Sequence, residues 1–474
     1  MNRSLFRVAC FVVVGFLLVA CNVIQLRSLE TGNVVLMIDE HLASAIRNTP
    51  HNGSRSATGG AEYQIEVIIS GDHSAQMKKL VASNALQGTS FVFEDVPPGI
   101  SIQLELQVHI GDILLWYGKS RNHYVTTGVN TLSIPVECVT GVVYGATGKR
   151  NFKIYPYGKY DTPLREYDLG STISKADCTV QGVPCFDAEG NVYLFHNISA
   201  FSTTHEGIHS DYGLGIRVQK SLRTYDGNYG EFQTLVAWLP NNTMNLAVDK
   251  ATNKLYVLGY DSGDDSIDDS GIFMLDLNDT TKDLSSSGES YANLGDLSSI
   301  PINFFPMEVY NDVLYIVEQS IMPDDEEKRI ITSYSLQYEG SDKGFSCVQK
   351  ATCDFTNLIS LPFGTKIVSD IQYQDGAIYL CISISNSEGS SQYGGIVKFD
   401  AKTLQMDTNF GDKGVLGLPS LNGDSAQNNS YYFSSIPYFT GFMPNKLVVS
   451  DDTVSKLVTI DLETEAVHVA DVTP

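Results

Sequence analysis

The chain has 474 residues, more than one ordinary domain holds, so two or three domains are expected. Hydrophobic residues make up 43% and charged residues 18%, which is enough apolar content to bury a core and excludes wholesale disorder. The formal charge is −24 with no Lys/Arg cluster to offset it, which argues against a nucleic-acid partner, since phosphate binding needs a basic patch.

Met1 to Ala20 reads as an export signal. Arg3 and Arg7 form a positive start, Val8 to Val19 is almost wholly apolar, and small residues follow at Ala20 and Cys21. The apolar run, about 12 residues, falls short of the roughly 20 needed to span a bilayer. Leu18-Val19-Ala20-Cys21 resembles the lipobox of bacterial lipoproteins. That resemblance implies cleavage before Cys21, a diacylglyceryl thioether on its sulfur and an acylated new amino terminus; an ordinary cleaved signal with a chance cysteine is the alternative. Several acyl chains, at about 0.8 kcal/mol per buried CH₂, would give lasting attachment to a membrane. Asn22 stands where the family's inner-membrane retention residue is Asp, which favours the outer membrane and leaves periplasmic or surface exposure open. Loss of Arg3 and Arg7 takes the mature charge from −24 to −26, so anionic headgroups repel the chain and the lipid must hold it.

Residues 21–32 read as a lipidated tether and residues 33–137 as a first folded unit. Val34–Ile38, Tyr63–Ser70, Ser90–Phe93, Ile102–Ile110, Ile113–Tyr117, His123–Thr126 and Thr131–Val136 are β-branched or aromatic, often alternating, and separated by turn residues. Such short strands predict a β-sandwich. Phe93-Glu94-Asp95-Val96-Pro97-Pro98-Gly99, a long alternating strand, and Leu115-Trp116-Tyr117-Gly118 resemble the prealbumin-like or Ig-like modules next to the anchor of bacterial lipoproteins. Residues 42–62 are polar and contain glycine, which predicts a mobile loop.

From residue 139 to 474 the chain repeats itself. Turn residues followed by aliphatic-Tyr-aliphatic recur around Tyr155, Tyr193, Tyr256, Tyr315 and Tyr379, and again at Val448 with Val in place of Tyr. Second strands ending in Asp follow several copies, as in Gly271–Asp276, Gly395–Asp400 and Leu457–Asp461. A repeated strand group buries its faces by packing radially around an axis. The pattern resembles β-propellers of the NHL/YVTN-like kind, and Phe399-Asp400-Ala401-Lys402-Thr403-Leu404 before Phe410-Gly411-Asp412-Lys413-Gly414 matches their outer strands. The expected fold class is therefore all-β, an N-terminal β-sandwich followed by a β-propeller. Six phrases favour six blades; five is the second reading, because the first copy is the poorest.

Eight cysteines occur. Cys10 leaves with the signal and Cys21 takes lipid, so six remain in an oxidising compartment. Cys178 with Cys185, and Cys347 with Cys353, are spaced for local disulfides that would staple loops. Cys381 lies in an apolar strand and is expected as a buried free thiol. No CxxC occurs, so zinc-ribbon and redox readings have no support.

Chemical motifs are weak. His205-Glu206-Gly207-Ile208-His209 matches the zinc-protease spacing, but that motif needs a helix and these surroundings lack helical periodicity. Asp261, Asp264, Asp265 and Asp268 supply hard oxygen ligands that suit Ca²⁺, in an order that does not fit an EF-hand. A solvated loop is the preferred reading of both, so no catalytic residue and no cofactor is expected. The repeat tyrosines are read as packing. The expected function is a membrane-anchored, non-enzymatic lipoprotein whose propeller binds an unknown protein or small ligand. One alternative is a metal-dependent hydrolase or lactonase with its ion at the propeller's axial mouth, where Asp187, Asp249 and Asp375 are candidates to converge. Another is a scaffold in outer-membrane assembly.

Overall fold

The computed structural model describes residues 32–38, 63–71, 77–82, 90–146, 151–168, 177–199, 214–224, 227–239, 242–260, 270–278, 291–293, 306–320, 328–340, 344–358, 365–385, 392–417, 438–451 and 456–472. Among these residues every regular element is a strand, and no helix is long and apolar enough to cross a membrane. The chain divides into two compact units, Met1–Glu137 and Cys138–Pro474.

The first unit holds β1 (Gly32–Met37), β2 (Tyr63–Gly71), β3 (Met77–Ala82), β4 (Ser90–Val96), β5 (Ser101–Ile110), β6 (Ile113–Lys119), β7 (His123–Tyr124) and β8 (Gly128–Ser133), with β9 (Glu137–Cys138) at the boundary. Two sheets form, ordered β4-β1-β8 and β3-β2-β5-β6-β9, and β7 lies beside β5. Period-two patterning decides which side chains go inward. On β5, Ile102, Leu104, Leu106, Val108 and Ile110 are buried, and the residues between them are only half-buried. They share one core with Ile65 and Val67 of β2, Val34 and Leu36 of β1 and Phe91 and Phe93 of β4. The strand β3, Met77-Lys78-Lys79-Leu80-Val81-Ala82, has no alternation to announce it and is fixed by antiparallel pairing with β2. The loop expected at 42–62 lies outside the described residues.

The second unit is a β-propeller. Its first sheet is β10 (Val142–Tyr144), β11 (Asn151–Tyr155) and β12 (Arg165–Asp168). The second is β13 (Asp177–Phe186), β14 (Val192–Ser199), β15 (Leu214–Arg223) and β16 (Tyr229–Leu239). The third is β17 (Asn242–Asp249), β18 (Lys254–Tyr260), β19 (Ser270–Asp276) and β20 (Tyr291–Asn293). The fourth is β21 (Met307–Tyr310), β22 (Val313–Ser320), β23 (Lys328–Gly340) and β24 (Gly344–Asp354). The fifth is β25 (Thr365–Gln374), β26 (Ala377–Ser385), β27 (Gln392–Asp400) and β28 (Val415–Gly417). The sixth is β29 (Tyr438–Met443), β30 (Lys446–Asp451), β31 (Lys456–Asp461) and β32 (Val467–Asp471). Tyr155, Tyr193, Tyr256, Tyr315, Tyr379 and Val448 all fall on the second strand of their sheet and are buried.

Apolar seams join each sheet to the next and bring the last back to the first. Val143 and Ile154 pack with Phe186 and Leu194. Tyr193 and Val218 pack with Leu246 and Val257. Tyr256 and Leu258 pack with Met307 and Leu314, and Val317 and Phe355 with Val368 and Phe399. Cys381 and Ile396 pack with Phe439 and Val449, and Val448 and Leu457 with Val142 and Tyr155. The ring is therefore closed by packing, with a three-stranded sheet among five four-stranded ones.

Neither expected disulfide forms. Cys178 and Cys185 lie on the single strand β13, opposite Ile198 and Tyr193 of β14. At about 3.3 Å per residue, an extended strand holds their Cα atoms far beyond the roughly 7 Å a bridge allows. Cys185 is a free thiol. Cys347 and Cys353 share β24, where a register shift opposite Ser333 and Tyr334 inserts a residue between them. That bulge changes the facing of the strand. Cys347 consequently packs into the seam between the third and fourth sheets and Cys353 into the seam between the fourth and fifth, both as free thiols. Cys381 is a buried free thiol.

Candidate ligand site in the axial cavity

The first strands of the four-stranded sheets, β13, β17, β21, β25 and β29, neighbour one another around the propeller axis. Together they line a half-open cavity of about 60 Å³. At roughly 15 Å³ per water by the same measure, that is room for a few waters or a small ion. Its walls include Leu246, Met307, Phe439 and Phe442, and its polar groups are Cys185, Asn245, Lys250, Glu308, Asp370 and Gln372.

Each polar group is set by its strand. A register shift between Val368 and Asp370 interrupts β25. There the Asp370 carboxylate accepts hydrogen bonds from the backbone N–H of Ile371 and, on the next sheet, of Phe439, both at 2.8 Å. Burial still pushes its pKa up to about 7, against the lowering effect of those two N–H donors. Glu308 sits on β21, and burial pushes it up to about 8; Lys250 opposes this, Asp370 and Asp249 add to it, and the backbone N–H of Tyr373 lowers it by donating to the carboxylate. Lys250 follows β17, and its Nζ lies 3.4 Å from the centroid of the Phe442 ring, a cation–π arrangement. Gln372 is only 7% exposed, lines the cavity, and its side-chain amide has no hydrogen-bond partner among the described residues. Asn245 turns its Oδ1 to the backbone N–H of Leu246 at 2.9 Å. Burial, and then the nearby Glu308 charge, push the Cys185 thiol well above its ordinary value.

The aspartates expected to meet at the axis do not meet. Asp187 accepts from the N–H groups of Glu189 and Asn191, from Asn191 Nδ2 at 2.7 Å and from the Tyr193 hydroxyl at 2.9 Å. Asp249 is consumed by its own turn and by the N–H groups of Asn311 and Asp312. Asp375 is exposed on a hairpin turn at φ +52°. Among the described residues no three His, Cys, Asp or Glu side chains gather to hold a metal ion. Cys21, His205, His209, Asp261, Asp264, Asp265 and Asp268 lie outside the described residues.

Sequence reasoning missed Lys250, Glu308, Asp370 and Gln372. The available signal was a carboxylate inside an otherwise apolar strand, in Pro306-Met307-Glu308-Val309 and Val368-Ser369-Asp370-Ile371. It also missed the second role of the repeat tyrosines. Tyr193 donates to Asp187, and Tyr256 donates to Asp312 of the next sheet at 3.0 Å.

No family model matches the chain, and no curated protein matches it. Solved structures do. Apo AztD from Citrobacter koseri is 10% identical at a TM-score of 0.28, covering 70% of this chain and 95% of that one. The α-L-arabinofuranosidase Arb93A from Fusarium graminearum, bound to an iminosugar inhibitor, is 14% identical at a TM-score of 0.35, covering 62% and 81%. The β-propeller domain of the Trilobed protease from Pyrococcus furiosus is 8% identical at a TM-score of 0.26, covering 73% and 99%.

Proposed function

We propose that the chain is a non-enzymatic lipoprotein of the bacterial cell envelope, anchored through acylated Cys21 with the outer membrane favoured, whose propeller binds a protein or small ligand. The lipobox-like Leu18-Val19-Ala20-Cys21 supports the anchor. The convergence of Lys250, Glu308 and Gln372 on one small axial cavity carries the binding reading. A recess that combines apolar walls with a few convergent polar groups is a common form of ligand site. The chemistry of these groups favours holding over reacting. Asp370 has both oxygens engaged by backbone N–H groups. Cys185 is driven away from the thiolate that a nucleophile needs.

Two measurements test the reading. In cells grown with radiolabelled palmitate, the wild-type chain should take up label and enter the detergent phase, and Cys21→Ser should do neither. The purified mature chain should be stabilised against heat by members of a small-polar-molecule panel. Ester or lactone hydrolysis by that chain, abolished by a chelator, would overturn the non-enzymatic assignment in favour of the metal hydrolase.

A further inference from the structure

We propose that the axial cavity is a binding site for one small monovalent cation, an alkali ion or an ammonium ion, seated between Glu308 and Gln372. The first support is a charge count. Facing Glu308 are Lys250 and Asp249 from β17 and its turn, Asp370 and Tyr373 from β25, and Cys185 from β13. The cavity walls from β29 are Phe439, Gly441 and Phe442, none of them charged. Asp249 already accepts five hydrogen bonds. Among the described residues lining the cavity, Lys250 is the one cation set against the two carboxylates Glu308 and Asp370. With both ionised, one negative charge is left over beside a half-buried Glu308, and a partly desolvated charge without a counterion is disfavoured. A proton can neutralise it, and so can a cation.

The second support is independent of charge. Gln372, 7% exposed, brings an amide to the same space, with no hydrogen-bond partner among the described residues. Its Oε1 and Nε2 are thus left for whatever fills the recess, water or a ligand. An amide oxygen beside a carboxylate is a ligand pair for a hard monovalent ion or for N–H donors. Lys250 shows that the walls accept an ammonium, since its Nζ rests 3.4 Å from the Phe442 ring centroid. The volume, about 60 Å³, suits an ion with a few waters. A divalent ion wants more anionic oxygens than one leftover carboxylate supplies.

The site rests on the binding reading, since both use the axial cavity: no stabilisation by any small molecule or ion would sink both, whereas stabilisation by a neutral ligand and by no cation would sink this site alone. It also makes ion uptake compete with a proton. With Glu308 pushed up to about 8 by burial, affinity should fall about tenfold for each pH unit below that value.

The test uses the purified mature chain with Cys21→Ser. Heat stability and calorimetric binding are measured in ammonium, potassium, sodium and choline chlorides at equal ionic strength, at pH 6 and pH 9. The expected result is saturable stabilisation at pH 9 by ammonium or by an alkali ion, absent with choline and much weaker at pH 6. The preferred ion separates the two sources. Glu308→Gln should abolish the effect, Gln372→Leu should weaken it several-fold, and Lys250→Met, which leaves a second charge unbalanced, should tighten binding about tenfold or more. If Lys250→Met fails to fold, Lys250→Gln tests the same charge change. Equal stabilisation by all four salts, or an ion-specific effect that survives Glu308→Gln, would overturn the site and leave a cavity holding water alone.

Discussion

Asp249 shows how much one side chain can carry in this ring. It is fully buried, and it accepts from Ala251 N at 2.9 Å, Thr252 N at 3.3 Å and Thr252 Oγ1 at 2.8 Å within its own turn. It also accepts from Asn311 N at 2.9 Å and Asp312 N at 2.7 Å on the next sheet. Asp249→Ala would leave these buried donors unmatched and should cost about 3–5 kcal/mol in urea unfolding, with Asp249→Asn in between. A loss under 1 kcal/mol would refute the clamp. Glu308 and Asp370 make a different prediction, about pH. Their ordinary values are 4.5 and 3.8, and burial raises them to about 8 and about 7. A carboxyl that holds its proton more tightly when folded stabilises the fold below its unfolded pKa, and that gain is lost as pH rises through the folded pKa. Asp354 and Asp400 act with the opposite sign. Hydrogen bonds from Thr356 and from Thr403 hold them below 3.8, so their contribution is lost as the solution becomes more acidic than that. Melting temperature should therefore peak between roughly pH 4 and 5 and decline towards pH 8, and Glu308→Gln should flatten the decline. A melting temperature that rises from pH 5 to pH 8 would contradict this.

At the scale of elements, one turn recurs. Asp249–Asn253, Asp400–Leu404 and Asp461–Glu465 share Asp at the first position, Thr at the fourth and a left-handed fifth residue, at φ +55°, +54° and +56°. In each the threonine hydroxyl donates to the aspartate. Asparagine tolerates the left-handed position, whereas Leu and Glu are strained there. Leu404 is retained because it is fully buried between the fourth and fifth sheets, and Glu465 because its carboxylate accepts from Gly411 N at 3.0 Å. Thr464→Val should cost about 1 kcal/mol, read as a lowered melting temperature. An unchanged melting temperature would mean the hydroxyl is equally served by water. These turns and the tyrosine strands behind them are legible in the sequence because their determinants are local: an Asp, a Thr, and a period of two. The bulge that turns Cys347 and Cys353 to different seams is not, because an inserted residue in β24 has no composition of its own. The axial cavity was illegible for a related reason. Cys185, Lys250, Glu308 and Asp370 lie about 60 residues apart along the chain, on or, for Lys250, just after strands whose shared property is to come first in their sheets.

At the scale of the molecule, the decisive place is the seam between the sixth sheet and the first. Consecutive sheets are tied by the chain as well as by side chains. Gln319, for example, bonds both the N–H and the C=O of Val368, at 2.8 and 2.9 Å, and Gln374 donates to the Met443 carbonyl at 2.9 Å. Across the closing seam the chain gives no such tie. Among the described residues the sixth sheet is built only from β29–β32 and the first only from β10–β12, so no strand is shared. What holds the seam is the apolar cluster of Val142, Tyr155, Val448 and Leu457 and a reciprocal bond. Thr140 donates its N–H to the Phe442 carbonyl at 3.0 Å and accepts the Phe442 N–H on Oγ1 at 2.7 Å. Gly441 permits the approach, since a Cβ there would lie 3.1 Å from the Gly141 carbonyl oxygen. Local opening is expected first where the least has to break. Thr140→Val keeps the shape but leaves the Phe442 N–H buried without an acceptor, at about 1–3 kcal/mol. Hydrogen exchange should then speed up by at least about tenfold at Phe442 and its neighbours on β29, with β21–β24 changed far less. Equal acceleration around all six sheets would show that the ring opens only as a whole, and that this seam is no weaker than the five the chain crosses.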